Sequence, residues 1–358
     1  MTNSHDPAGS PGPPATRPDP TPPGGPPGVD PMAVIKSRPF IVALILSAIL
    51  GIPISAVAYG FLALVTWLQR YLFTDLPTQL TGGTPPAWWP IPWLILCGLL
   101  TSLTIQYLPG NAGHSPAFGF HTGGGPPSGP ELISVFLAAL TTLSMGAVLG
   151  PEAPLIAIGG GLGALAVRSV KKDAPPMAVT IIASAGSFAA IRTLLGSPLL
   201  GAVLILEAAG GSGITLSLVA LPGLLAAGIG SLIFVGLDAW TGLGTFSLAL
   251  TVVPPEVDPT VASLVWALVV GLVCALVAWL IRALSLNLRP LVHRGRIPVT
   301  MGLGLLVGLT AMAYQLITGR GFAEVLFSGQ DAMPGLVANA AEYTVGVLIL
   351  RIVGKAIA

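Results

Sequence analysis

The stretch that decides the fold is Gly146 to Ala164, which reads GAVLGPEAPLIAIGGGLGA. It is apolar almost throughout, but residues 150–154, GPEAP, interrupt it around a single carboxylate, Glu152. Proline is common in the first turn of a helix, so the pattern predicts that one helix ends before this segment and another starts at Pro154. An isolated charge in hydrocarbon costs about 3 kcal/mol or more, so we expect Glu152 to face a cavity rather than lipid.

Glu152 is the first candidate for a functional residue. The N-terminus of a helix carries unbonded backbone N–H groups and about half a positive charge, which together favour an anion. A carboxylate at this position can occupy the anion site itself, and it leaves when it is protonated or when a permeating anion displaces it. The alternative is a helix cap with no role in transport.

The composition places the chain in a membrane. Of its 358 residues, 53% are hydrophobic and 8% are charged, and the mean hydropathy is +0.86. A soluble domain carries about 25% charged residues, so a water-soluble enzyme is excluded. The net charge of +1 is too balanced for a nucleic-acid partner. Cys97 and Cys274 lie in separate apolar runs, so we expect neither a disulfide framework nor a cysteine metal site, and no cofactor.

Hydropathy and charge divide the chain into four segments. Residues 1–35 form a Pro-rich tail, which is predicted to be disordered and cytoplasmic because Lys36 and Arg38 stand directly before the first apolar run. Residues 36–235 form a first membrane unit, 236–259 an extracytoplasmic connection with acids but no Lys or Arg, and 260–358 a shorter second unit. The units enter the cell membrane from opposite sides. The pattern therefore predicts an all-α multi-pass bundle of broken, tilted helices with an inverted repeat whose second copy is incomplete.

A second irregular stretch lies at residues 109–130 and reads PGNAGHSPAFGFHTGGGPPSGP. It is too rich in Gly and Pro for a spanning helix, and such backbone is tolerated at membrane depth only where protein or a water-filled cavity covers it. Its amides, with His114 and Ser115 as side-chain donors, are candidates for contacts to an anion. Donors satisfied by neighbouring carbonyl groups are an equally open alternative.

These segments together resemble the CLC family of chloride channels and proton-coupled chloride transporters. Residues 146–164 are similar to the family's stretch with a gating glutamate in a Gly-x-Glu-Gly-Pro motif. Residues 197–210, SPLLGAVLILEAAG, are similar to its following Ala-Pro-Leu-x-Gly segment, which ends in glutamate. The resemblance implies an anion channel or transporter, chloride as the ion, a homodimer with one pore in each subunit, and Glu152 as the external gate.

The resemblance also implies the residues around the anion. Those from the gate motif and the preceding loop are Gly113, His114, Ser115, Gly150, Pro151 and Ala153. The match has departures: Gly113 stands where the family loop has serine, and Pro151 where the gate motif has arginine. Glu207 falls on the glutamate of the second segment and is a candidate proton relay, whereas Ala208 occupies the position of a further glutamate found in proton-coupled members.

Two alternatives to a chloride pathway stay open. Glycine in place of the loop serine allows another anion, such as fluoride. The family's Gly-x-Phe-x-Pro segment and its tyrosine-bearing last helix would fall beyond Ala358. On that basis a non-conducting remnant is the other alternative.

Overall fold

A computed structural model describes residues 35–110, 113, 125–192, 194, 203, 214–247, 258–329 and 332–358, without the side chains of 214–217. The described residues form helices joined by turns, and these ranges contain no strand. The predicted tail at 1–35 lies almost wholly outside them.

The helices follow one another in two groups. The first group contains α1 (Arg38–Arg70), a π-helical turn (Tyr71–Asp75), α2 (Leu76–Thr81), α3 (Pro90–Tyr107), α4 (Gly129–Ser144), α5 (Glu152–Val170), α6 (Pro176–Ile191) and α7 (Ile214–Thr241). The second group contains α8 (Val261–Arg294), α9 (Arg296–Thr318), a 3-10 turn (Phe322–Glu324), α10 (Ala332–Ala338), a second 3-10 turn (Ala340–Glu342) and α11 (Val345–Ile357).

Six helical segments of the described chain are long and apolar enough to cross a membrane. They are Arg38–Thr81, Pro90–Tyr107, Glu152–Val170, Leu218–Thr241, Val261–Arg294 and Arg296–Thr318. Helices α4 and α6, with 16 residues each, are shorter apolar helices. The prediction of an all-α, multi-spanning membrane protein is confirmed. Within the described structure α8 has no buried residue, so its apolar side chains face outward along its whole length.

Small residues allow the helices of the first unit to approach closely. At the crossing of α5 and α6, a Cβ atom added to either Gly159 or Gly186 would overlap the carbonyl oxygen of the other. Where α1 crosses α7, a Cβ atom on Gly51 would lie 3.2 Å from the carbonyl oxygen of Ala226. Close backbone contact through small residues is a common way for helices to associate in membranes.

A further close crossing joins the two units. Helices α3 and α9 run antiparallel, with the backbone of Gly98 against Thr300 and that of Gly304 against Leu94. The indole of Trp89, just before α3, donates a hydrogen bond of 2.8 Å to the carbonyl oxygen of Leu72. The start of α3 is therefore fixed to the far end of α1, and α9 is fixed to α3.

Eight of the basic residues lie toward one end of the bundle. The beginning of α1 packs against the end of α5 in a cluster that includes Leu46 and Val167. The guanidinium of Arg296, at the start of α9, donates a 3.4 Å hydrogen bond to the carbonyl oxygen of Ile105 near the end of α3. The residues that flank these helix ends are Lys36, Arg38, Arg168, Lys171, Lys172, Arg289, Arg294 and Arg296.

Two helix boundaries differ from the sequence expectation. Helix α5 begins at Glu152, two residues before Pro154, where the sequence pattern predicted its start. Helix α7 continues to Thr241, past the boundary drawn at 235. The last 24 residues, Gly335–Ala358, contain the end of α10, a 3-10 turn and α11.

Candidate functional site

The site begins where α4 ends and α5 starts. Gly146 adopts a left-handed conformation, with φ of +99°, and a Cβ atom there would meet the Leu326 side chain at 3.3 Å and Phe73 at 3.5 Å. Its carbonyl oxygen accepts a 3.2 Å hydrogen bond from the amide of Phe327. Glycine is needed at this position because a side chain would be both strained and crowded. The break between α4 and α5 is thereby tied to a loop of the second unit.

Glu152 lies at the first position of α5, behind Pro151 as the N-cap residue. Its carboxylate folds back against Gly150: a Cβ atom on Gly150 would overlap Oε2 and would lie 2.9 Å from Oε1. Glycine before the proline therefore leaves the space that this carboxylate occupies. The amide of Leu155 donates to the carbonyl oxygen of Pro151 at 3.0 Å, which makes that carbonyl the first acceptor of the helix. The amide of Ala153 belongs to the first turn, where the helical pattern supplies no acceptor.

The Glu152 cleft is a recess of about 350 Å³ between the two units. Its wall from the first unit consists of Val148, Leu149, Gly150 and Glu152, and its wall from the second unit consists of Ser328, Gly329 and Met333. A carboxylate at a helix N-terminus thus faces an open recess and not a packed interior.

Two residues of the second-unit wall, Ser328 and Gly329, belong to the loop Leu326–Gly329. Phe327 has φ of +59°, an uncommon value for a residue with a side chain, so the surrounding contacts must hold it. The ammonium of Lys355, on α11, donates 3.1 Å hydrogen bonds to the carbonyl oxygens of both Leu326 and Phe327. Together with the bond from Phe327 to Gly146, these contacts brace the loop from both sides.

A polar cluster centred on Glu324 lies next to this loop. Tyr314 and Tyr343 donate hydroxyl hydrogen bonds of 2.6 and 2.9 Å to the two carboxylate oxygens. The guanidinium groups of Arg320 and Arg351 lie 3.7 and 3.8 Å from the same carboxylate. Arg351 is buried, with a side-chain exposure of 8%. A single carboxylate therefore accompanies two guanidinium groups.

Tyr343 connects this cluster to the start of α11. The guanidinium carbon of Arg320 lies 3.7 Å from the centre of its ring, a cation–π contact. Burial raises the pKa of the Tyr343 hydroxyl, and so does the hydrogen bond that it donates to Glu324. The neutral phenol is therefore the form that the folded protein favours.

The structure separates the predicted site residues into three groups. Gly150 and Glu152 line the cleft, while Pro151 is buried behind them and Ala153 is exposed. Gly113 lies elsewhere, against α4, where a Cβ atom would be 3.3 Å from the side chain of Val135. His114, Ser115 and Glu207 lie outside the described residues.

Sequence reasoning missed the second-unit wall. Ser328, Gly329 and Met333 follow a 3-10 turn in a segment with no motif of its own, and the predicted site residues did not include Lys355. The one available signal was a Lys within an apolar run, since ionisable residues at membrane depth commonly have a function. Across the described ranges no group of three or more His, Cys, Asp or Glu residues is arranged to hold a metal ion.

Comparison with known proteins identifies the family. A family model described as "Voltage gated chloride channel" matches residues 117–358, which is well over half of the chain. The chain belongs to this family. The match covers the whole Glu152 cleft, including both of its walls.

Two relatives of this chain are Salmonella proteins. "Putative ion-transport protein YfeO" from Salmonella newport (strain SL254) is 29% identical over 177 residues, which is 49% of this chain and 42% of the relative. The protein of the same description from Salmonella typhimurium has the same identity and coverage. The chain thus matches less than half the length of these curated relatives.

A solved structure shares the fold. It is described as a slow cyanobacterial Cl⁻/H⁺ antiporter, and it matches with a TM-score of 0.64 at 18% sequence identity, covering 88% of this chain and 72% of that one. At this identity the likeness shows the arrangement of the helices and not the ion that they carry. Membership of the family and a membrane-embedded helical architecture are therefore established for this chain.

Proposed function

We propose that this protein provides a pathway for chloride or a similar small anion across the membrane, and that Glu152 gates it. The observation that carries the proposal is the position of the carboxylate, at the N-terminus of α5 and in a cleft shared by both units. A helix N-terminus favours a negative charge, and a side-chain carboxylate and a free anion compete for the same field. Family membership and the likeness to a Cl⁻/H⁺ antiporter support the assignment of the ion.

Gly113, with the neighbouring His114 and Ser115, is proposed to contact the anion at a second depth. Helices α4 and α5 run antiparallel, since Leu132 meets Gly161 and Gly129 meets Leu165. By this pairing, Val135 lies level with a point about six residues along α5 from Glu152. Six residues of helix span about 9 Å at 1.5 Å per residue. Because Gly113 lies against Val135, it is at this same level. A path with two anion positions is consistent with this spacing. Pro151 and Ala153 would contribute backbone at the outer position.

The basic end of the bundle supports a cytoplasmic N-terminus. Positive residues are enriched in the cytoplasmic loops of membrane proteins. Here eight of them flank the start of α1, the end of α5 and the α8–α9 turn, against Arg70 and Arg320 at the opposite end. The opposite end has Trp88 and Trp89 beside the far end of α1. We therefore place the N-terminus inside the cell, the protein in the cell membrane, and the Glu152 cleft toward the outside.

Two further features are proposed from the family resemblance. The units 36–235 and 260–358, joined by the extracytoplasmic segment 236–259, are related as inverted repeats, and the functional protein is a homodimer. Glu207 is retained as a candidate proton relay. The antiparallel crossing of α3 with α9 supports the first of these features, because it sets one helix of each unit in opposite directions through the membrane.

Replacement of the gate carboxylate tests the function. Glu152→Gln mimics the protonated gate, so chloride efflux from liposomes should lose its dependence on pH, while the unaltered protein keeps it. The matched control is Glu342→Gln, because Glu342 is an exposed carboxylate that does not line the cleft. The proposal would be overturned by a Glu152→Gln protein with the same rate and pH response as the parent, or by a parent that neither binds chloride nor releases it.

A further inference from the structure

Lys355 is a cation inside the apolar part of the protein. It lies near the end of α11, where a Cβ atom on Gly354 would be 3.8 Å from the side chain of Thr310, midway along the membrane-spanning helix α9. Its side chain is half-buried, and the basic residues described above gather at the end of the bundle beside the start of α9. A charged group at this depth is expensive, so its retention calls for a local reason.

The ammonium of Lys355 lies beside Gly329, which lines the Glu152 cleft, although Lys355 itself is not one of the lining residues. A Cβ atom on Gly329, which lines the cleft, would be 3.1 Å from Nζ and 3.3 Å from Cε of Lys355. The two hydrogen bonds that Lys355 donates go to backbone carbonyl oxygens. Such acceptors orient an ammonium, but as neutral groups they leave its full charge in place.

The surroundings of Lys355 add further positive charge. Arg351 precedes it by one helical turn, and Arg351 shares the carboxylate of Glu324 with Arg320. Among the described residues of this cluster, three cations thus accompany the carboxylate of Glu324. On the other wall of the cleft, Glu152 is preceded by the uncharged Pro151, so the gate segment itself brings no cation.

We propose that Lys355 supplies the positive charge that holds a small anion in the Glu152 cleft, opposite the gate. This inference rests on the proposed function and deepens it, since it assigns an anion-attracting residue to the second unit. A unit charge a few ångströms from an anion, screened as is typical near a protein surface, changes the binding constant by roughly tenfold or more. Glycine at position 329 serves the same purpose, because a side chain there would separate the ammonium from the cleft.

A purely structural role would make a different prediction. If Lys355 only braces the loop Leu326–Gly329, its replacement lowers thermal stability and leaves the affinity of the folded protein for chloride unchanged. If its charge acts on the anion, affinity follows the charge at this position. The two roles can therefore be distinguished by the chloride affinity of variants that remain folded.

The test is chloride binding to the purified full chain, measured by calorimetry beside the thermal midpoint. Lys355→Gln and Lys355→Met, which remove the charge, should each weaken chloride binding about tenfold, whereas Lys355→Arg should stay within about threefold of the parent. Lys172→Gln is the matched control, since Lys172 lies beyond the opposite end of α5 and should have no effect.

Three results would overturn the inference. They are parental chloride affinity in both neutral variants, equal weakening in the neutral variants and Lys355→Arg, and failure of both neutral variants to fold while Lys355→Arg folds. The last result would make Lys355 a structural brace. If Glu152→Gln alters efflux but the Lys355 variants bind chloride normally, only this inference fails; a parent without chloride binding would remove the proposed function as well.

Discussion

The crossing of α5 and α6 predicts a stability effect of a single methyl group. In the structure, a Cβ atom on Gly159 would overlap the carbonyl oxygen of Gly186 and lie 2.8 Å from the Cβ atom of Ala190. Carbon atoms in contact are normally about 3.5–4.0 Å apart, so in Gly159→Ala the two helices must separate by roughly 1 Å. Because α5 carries Glu152 at its first position, the strain falls on the helix that presents the gate.

The expected magnitude follows from two opposing effects. Overpacking at a tight contact costs about 1–3 kcal/mol, and alanine recovers about 1 kcal/mol because it is a better helix former than glycine. We therefore expect a net loss of about 1 kcal/mol in the free energy of unfolding. The matched control is Gly228→Ala in α7, where a Cβ atom meets nothing within 4 Å. In this control we expect only the effect of helix propensity, a rise of about 1 kcal/mol in the free energy of unfolding.

A thiol-reactive fluorogenic dye can measure the thermal unfolding midpoints of Gly159→Ala and Gly228→Ala during heating in detergent. Cys97 is 5% exposed and becomes reactive on unfolding, and the exposed Cys274 is replaced by Ser to remove the background. At about 2–4 °C per kcal/mol, Gly159→Ala should melt roughly 5 °C below Gly228→Ala. If Gly159→Ala melts at or above the control, the close approach of α5 and α6 is not as the structure has it.

The other predictions concern the Glu324 cluster, the orientation and the assembly. Glu324→Leu leaves Arg351 buried without its carboxylate and should lower the free energy of unfolding by about 3–5 kcal/mol. Asp75→Asn, at an exposed ion pair, should lower it by under about 1 kcal/mol. Equal shifts of the thermal midpoint in the two variants would contradict this prediction. In whole cells, a membrane-impermeant maleimide should label Trp88→Cys directly and Lys172→Cys only after permeabilisation, and the reverse order would invert the proposed orientation. Light scattering in detergent should give a protein mass of twice 36.3 kDa, and a monomeric mass would disprove the homodimer.

The Glu152 break shows how much local chemistry could predict. Glycine and proline around one acid within an apolar run predicted a helix start, a carboxylate at that start and a cavity beside it. The structure confirms that a helix starts here, at Glu152 rather than Pro154, and that the carboxylate lines a cleft. Such features depend on residues a few positions apart, so they can be read without knowledge of the fold.

The end of α7 shows where the same reasoning becomes imprecise. The acid Asp238 marked the start of a connection in the sequence, yet the helix continues to Thr241. There the hydroxyl of Thr241 lies 2.6 Å from that of Tyr59 on α1, a contact between residues distant in sequence. A helix end at a membrane surface is decided by such tertiary contacts as much as by polarity.

By itself the sequence determined the class of protein, the membrane environment, the helical breaks and the gate candidate, because these follow from composition and short-range pattern. Only the tertiary structure decided what faces Glu152. Ser328 and Gly329 reach the cleft, with Lys355 behind them, through the crossing of α3 with α9 and the packing of α11 on α9. No local pattern encodes those contacts, since they depend on how glycine-lined helices fit against one another across the whole bundle.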